Sequence, residues 1–128
     1  MKWLTGWRRP KVDTQAIGQA GENQALDYLQ ERGFRLIERN FRSKFGEIDL
    51  IMQQDHPVSQ IVFVEVRLRA SAQFGGAQAS VTPAKQRRLL LTAQWYLQRF
   101  STPPRCRFDL VAIENGQIVW LQDIIAAA

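Results

Sequence analysis

Three acids and one arginine in this sequence have the types and spacing to do chemistry together: Glu22, Asp49, Glu65 and Arg67. Asp49 lies in the apolar run Gly46-Glu-Ile-Asp-Leu-Ile51, and Glu65 in Val62-Phe-Val-Glu-Val-Arg67. The polar stretch Gln53-Gln-Asp-His-Pro-Val-Ser59 separates the two runs, so together they read as a β-hairpin. Folding its arms symmetrically about Pro57 sets Asp49 opposite Glu65, and Arg67, two residues on, points to the same face. Two ionised carboxylates about 5 Å apart repel by roughly 3 kcal/mol at an effective dielectric of about 20. A cation, a shared proton or a bound divalent metal must offset that repulsion. Two readings follow, a cross-strand ion pair with Arg67 or a metal site.

The elements that must position these groups are legible around the hairpin. Asp13 or Thr14 caps a first helix running to about Arg32, with Gly33 as its left-handed stop. Its apolar stripe is Ile17, Ala25, Leu26 and Leu29, and Glu22 belongs to that stripe. A carboxylate there needs a partner, or else it is a boundary residue whose tip reaches water or an arginine. Residues 34–41 read as a first strand ending in the basic Arg39-Asn-Phe-Arg42, and Ser43-Lys44-Phe45-Gly46 turns into the hairpin. Residues 70–81 form a small-residue loop placed to lie over the Glu65/Arg67 strand end. Thr82-Pro83 starts a second helix running to about Phe100, with Leu89, Leu90, Ala93, Tyr96, Leu97 and Phe100 as its apolar face. Lys85, Arg87 and Arg88 crowd its first turns, where free amides and the helix dipole favour a phosphate; the alternative is a solvated face. Residues 107–113 and 118–122 are strands joined at Asn115-Gly116, a type I′ signal.

The expected order is α-β-β-β-α-β-β, an α/β chain in the sense of a mixed α+β sheet. Strand, helix, strand between residues 60 and 113 implies one parallel pairing. The expected organisation is a basic arm over residues 1–13, one domain over 14–123 and a tail over 124–128.

At 128 residues with 45% hydrophobic content, the chain is long and apolar enough for a core. Its net charge is +5, its pI is near 10.0, and arginine supplies most of the basic residues. That balance favours an anionic partner, nucleic acid first, although it also serves solubility. One cysteine, Cys106, excludes an internal disulfide, and no Cys/His cluster suggests zinc. Cys106 is expected to be a small buried residue, and His56 a loop residue with no obvious partner. No apolar stretch is long enough to span a bilayer, so a cytoplasmic protein without a membrane partner is expected.

Gly18 through Glu22, Gly46-Glu-Ile-Asp-Leu50, Phe63-Val-Glu-Val-Arg67, Lys85 and Arg107-Phe-Asp109 together resemble the YraN family. That family comprises small bacterial proteins similar to Holliday-junction-resolvase-type endonucleases. The resemblance covers about residues 14–121. It implies a restriction-endonuclease-like core with a D…(D/E)-x-K metal site. Asp49 and Glu65 would be the two acids and Glu22 the helix carboxylate that completes the site. Mg²⁺ or Mn²⁺ would be held there, and DNA, branched DNA included, would be cut; the alternatives are a nucleic-acid-binding module that keeps the fold without turnover, and a protein-interaction domain whose acids are only ion-paired. Arg42, Lys44, Lys85, Arg87 and Arg88 would contact the nucleic acid, and a homodimer is compatible with this. Arg67 stands where the motif usually has lysine. An arginine effectively cannot give up its proton, so its role would be electrostatic, or Lys85 would reach the site from its helix instead.

Overall fold

In a computed structural model the protein is described over residues 14–69 and 76–125. The expected basic arm, the glycine-bearing part of the loop at 70–75, and residues 126–128 lie outside the described residues. The order is α1 (Thr14–Glu31), β1 (Arg35–Ser43), β2 (Gly46–Gln54), β3 (Gln60–Arg69), a short 3₁₀ turn (Ala77–Ser80), α2 (Pro83–Leu97), β4 (Cys106–Glu114) and β5 (Gln117–Leu121). The expected sequence of elements is therefore observed, in a mixed α+β architecture.

The five strands form one sheet in the order β1-β2-β3-β4-β5. Every neighbouring pair is antiparallel except β3 and β4. That parallel pair is the one expected from the crossover through α2. The hairpin register is also the expected one: Leu50 faces Val64, Ile51 faces Phe63 and Met52 faces Val62.

Each face of the sheet is covered by one helix. Ala25 and Leu29 of α1 pack on Leu50, Met52, Val62, Val64 and Val111. Leu89, Ala93 and Tyr96 of α2 pack on Ile51, Ile61, Phe63 and Phe108. With both faces buried, β2 and β3 read as apolar runs rather than as clean alternation.

Local chemistry ends the elements as the sequence suggests. Gly33 has φ +90°; its N–H donates to the Gln30 carbonyl, and Phe34 N–H donates to the Leu29 carbonyl. This pair of bonds is a Schellman cap. Asn115 and Gly116 both have positive φ, 51° and 76°, as a type I′ turn requires.

Four expectations are corrected. Ile17 is 48% exposed, so the expected apolar stripe of α1 is not covered along its whole length. Helix α2 ends at Leu97, before the expected Phe100, and Phe100 still packs against the core from the following turn. The expected loop over 70–81 is regular in part: Ala77–Ser80 form a 3₁₀ turn, and Ala77 and Val81 are buried. Cys106 is only partly buried, at the start of β4. The chain stays packed through Ile125, where Ile124 N–H donates to the Phe108 carbonyl.

Candidate active site

The site forms where the β2–β3 ladder stops. Leu50 and Val64 are its last paired residues, so Asp49 and Glu65 stand just beyond it. Asp49 Oδ2 accepts the Val66 N–H at 2.8 Å, so a carboxylate takes a backbone donor at the ladder's end. The Glu65 carboxyl lies beside that of Asp49 and is pushed up to about 8. Burial is the largest cause; the Asp49 charge and a hydrogen bond between the two carboxyls add to it, while Arg67 and Lys85 pull the other way. Glu65 therefore keeps its proton into the neutral range. Of the three ways to offset the repulsion, a proton retained on Glu65 follows from its raised carboxyl, and the Arg67 cation also stands beside it.

Arg67 does share the face of Asp49 and Glu65. Its Nε lies 3.7 Å from Glu65 Oε1, too long for a hydrogen bond, and Nε is buried with no hydrogen-bond partner. Glu22 comes from α1 to the same place. Gly21 makes that approach feasible, since a Cβ there would sit 3.1 Å from Leu68 on β3. Burial and then the Asp49 charge raise the Glu22 carboxyl, and Arg39 lowers it. Arg39 Nη2 is 3.5 Å from Glu22 Oε1, which has no hydrogen-bond partner. The boundary-glutamate reading thus found its arginine, while the same carboxylate also faces the acid pair.

Two adjoining hollows meet at the pair. One, of ≈ 200 Å³, is lined by Gly46, Glu47, Asp49, Glu65, Arg67, Lys85, Arg88 and Leu89. The other, of ≈ 300 Å³, is lined by Gly18, Glu22, Asp49, Glu65, Val66, Arg67 and Leu68. Of the expected phosphate contacts, Lys85 and Arg88 line this cleft. Arg42 borders a third hollow with Glu22 and Glu47, 3.5 Å from the Glu47 carboxylate. Arg87 is exposed on α2, away from the cleft lining, and Lys44 lies on the β1–β2 turn with its ammonium 5.2 Å from the Phe45 ring centre.

The free amides expected at the α2 N-terminus are largely spoken for. Pro83 has no N–H, Lys85 N–H goes to Thr82 Oγ1, and Gln86 N–H goes to the Thr82 carbonyl. An anion would therefore be met by side chains, with Ala84 as the one first-turn amide left. Lys85 Nζ itself donates to the Ser80 carbonyl at 3.1 Å.

Sequence reasoning missed two residues that organise the site. Arg39 sits at the strand end flagged as basic, but nothing in the pattern tied it to Glu22. Asn40 has φ +52° in the middle of β1, which breaks the face alternation there and lets Phe41 and Ile48 join the α2 side while Leu50 faces α1.

The site also tests whether a metal fits. All the nearby donors are hard carboxylate oxygens, and one of them, Glu22 Oε1, is orphaned. Among the described residues no group of three or more His, Cys, Asp and Glu side chains is disposed to hold a metal ion as it stands. Mg²⁺ is commonly held by one or two carboxylates together with water and substrate phosphate, and the Asp49–Glu65 pair meets that requirement.

The proton on the pair predicts a pH dependence of stability. In the unfolded chain a glutamate ionises near about 4.3. The folded protein holds a proton above that value until about 8. The contribution of Glu65 is thus fully present below about 4.3 and is lost as pH rises through about 8, at up to about 1.4 kcal/mol per pH unit. Urea unfolding between pH 5 and 8.5 should show this slope in the parent and a flatter one in Glu65→Gln. Equal slopes would remove Glu65 as the proton holder.

Fold and site place the molecule among small mixed α+β proteins with a paired-carboxylate cleft beside basic side chains. The chain belongs to UPF0102: the model of "Uncharacterised protein family UPF0102" matches residues 21–113, which include Glu22, Arg39, Asp49, Glu65, Arg67, Lys85 and Arg88. This YraN-like family is the one the sequence motifs resemble. The chain is 53% identical over 124 residues to a UPF0102 protein of Janthinobacterium sp. (strain Marseille), covering 97% of this chain and 98% of the relative. It is 52% identical over 125 residues to UPF0102 protein HEAR0176 of Herminiimonas arsenicoxydans, with 98% of each chain covered. A UPF0102 protein of Ralstonia pickettii (strain 12J) is 50% identical over 118 residues, 89% of this chain and 93% of the relative. Among the described residues no helix is long and apolar enough to cross a membrane.

Proposed function

We propose that the protein is a metal-dependent endonuclease acting on DNA, built on a restriction-endonuclease-like core. One observation carries this reading: the acids Asp49 and Glu65, from neighbouring strands, come together at the end of the β2–β3 ladder in a cleft also lined by Arg67, Lys85 and Arg88. Asp49 and Glu65 would hold Mg²⁺ or Mn²⁺, with Glu22 turned toward the same ion from α1. Bound there, the ion would polarise a phosphodiester and lower the pKa of the attacking water. Loading it requires the pair to release its proton. Arg67 is pre-aimed beside Glu65 with an unsatisfied Nε, suited to a phosphate oxygen that gains charge during cleavage. Lys85 and Arg88 hold the backbone on the α2 side, and Arg42 continues the positive path on the other. The test is incubation with branched, nicked, duplex and single-stranded DNA under Mn²⁺, beside a chelated control and Asp49→Asn.

A second reading is a DNA-binding module that has kept the fold without turnover. Arg67 at the lysine position of the motif, facing Glu65 as an ion pair, favours it. Substitutions at Arg67 separate the two. As a charge clamp, Arg67 should lose about 10-fold in single-turnover cleavage when replaced by lysine, because a point charge does not reproduce a planar fork. Arg67→Ala should lose about 10²-fold, the scale of one transition-state donor. An Arg67→Lys rate equal to or above the parent's overturns the clamp. Absence of cleavage by the parent, with DNA still bound, selects the binding module.

A further inference from the structure

The cleft does not end at Arg88. The β1–β2 turn packs against α2 there: a Cβ on Gly46 would meet Arg88 Cβ at 3.5 Å and Thr92 Oγ1 at 3.4 Å, and Ser43 Oγ donates to Thr92 Oγ1. Thr92 faces inward and is buried. One step round the helix, Leu91 is 41% exposed and Trp95 is 51% exposed. Arg87, Leu91 and Trp95 recur every four residues, and Arg88 lies three before Leu91, so these side chains share the outer surface of α2. Lys44 and the half-buried Phe45 stand on the adjoining turn. Among the described residues no ring or guanidinium packs on Trp95. The surface therefore combines an open indole, apolar neighbours and three cations, and it is continuous with the cleft through Arg88.

We propose that this surface is a stacking platform for an unpaired nucleotide, so that the DNA handled at the cleft has a single-stranded segment running along α2. The inference rests on the nuclease or DNA-binding reading above and names its substrate class. Arg87, Arg88 and Lys44 provide charge complementarity to the phosphates, and Trp95 provides a sequence-tolerant face for a base. From Arg88 to Trp95 the helix rises about 10 Å, a reach of one or two nucleotides from the cleft. A base paired in duplex presents only its edge, so the platform discriminates strand state and not sequence.

The test measures binding by the full chain in a chelating buffer, where cleavage is off. The probes are labelled single-stranded DNA, the same sequence as duplex, and a single strand with abasic positions. Trp95→Ala should weaken single-strand binding by about 5- to 150-fold, the range that stacking of one base supplies, and change duplex binding less than about 2-fold. Trp95→Phe should retain most of the parent affinity. The parent should bind the abasic strand as weakly as Trp95→Ala does. Arg88→Gln should instead weaken all probes and reduce the salt slope by about one. Equal losses on single strand and duplex, or no loss, overturn the platform while leaving the nuclease reading standing. A parent dimer that dissociates on Trp95→Ala, with DNA binding unchanged, assigns the surface to a second copy and overturns the inference. A parent that binds none of the probes overturns both readings.

Discussion

Replacing Asp109 by alanine should cost about 3–5 kcal/mol of folding stability, the range found when one partner of a buried charge pair is removed. Asp109 is fully buried on β4 and accepts four hydrogen bonds. Arg107 Nε and Nη2 reach its two oxygens at 2.9 and 3.0 Å. The Trp120 indole N–H donates at 3.0 Å and the Asp123 N–H at 2.9 Å. One carboxylate thus joins β4, β5 and the chain beyond β5. Alanine would strand an arginine whose side chain is only 15% exposed, together with two further donors. For a domain with about 5–15 kcal/mol of net stability, that is a large fraction. Urea unfolding at pH 7 measures the loss. Asp109→Asn should lie between parent and alanine, since the amide keeps the shape and some acceptor capacity. A loss below about 1 kcal/mol for alanine would show that Arg107 finds water and that the network is not a clamp.

The second large effect is opposite in sign for stability. Asp49→Asn removes the charge that helps to hold the Glu65 carboxyl up, and its side-chain oxygen can still accept the Val66 N–H. Without metal, the variant should be at least as stable as the parent at pH 8, and Glu65 should ionise closer to its ordinary range. With Mn²⁺ the order should reverse. The parent should gain melting temperature by mass action and the variant should not. Cleavage should fall by at least about 10²-fold, because ion binding contributes several kcal/mol of charge stabilisation. The three readouts check one another. Equal Mn²⁺ shifts in both proteins would sink Asp49 as a ligand even if activity were lost. A variant that melts well below the parent in chelator would show that Asp49 is needed chiefly to hold β3 in place.

The sequence made much of this visible, for identifiable reasons. The Asp49–Glu65 pairing follows from hairpin symmetry, because register propagates along a ladder from any correctly placed pair. Gly33 and Asn115-Gly116 announce themselves through backbone conformations that few residues adopt. The Thr82-Pro83 start of α2 is equally local. What stayed hidden depends on contacts between distant segments. Asp109 stood out only as part of a motif, because its donors at Trp120 and Asp123 are brought to it by β5 and by a chain reversal after it. The link from Arg39 to Glu22 requires the helix to lie across β1, which no periodicity states. The exposed Ile17 shows the same limit from the other side: helical spacing names a stripe and does not say how much of it the sheet can cover.

The burial of β2 and β3 on both faces has a consequence for how the hairpin selects its own alignment. In a strand with one wet face, a slip by one residue puts apolar groups in water, and that penalty fixes the pairing. Here Leu50, Ile51 and Met52, and Ile61 through Val64, are apolar on either side, so a slipped pairing would still be oily above and below. The information that rejects it resides in the polar ends. At one end Gln60 Nε2 bonds Gln54 Oε1, and the two residues are partners in the ladder. At the other, Asp49 can take the Val66 N–H only in the observed alignment, and a shift by one would drive a carboxylate into the layer beneath α1. The acids that gather at the ladder's end therefore act, together with the Gln54–Gln60 pair, as the alignment key of the sheet's central hairpin.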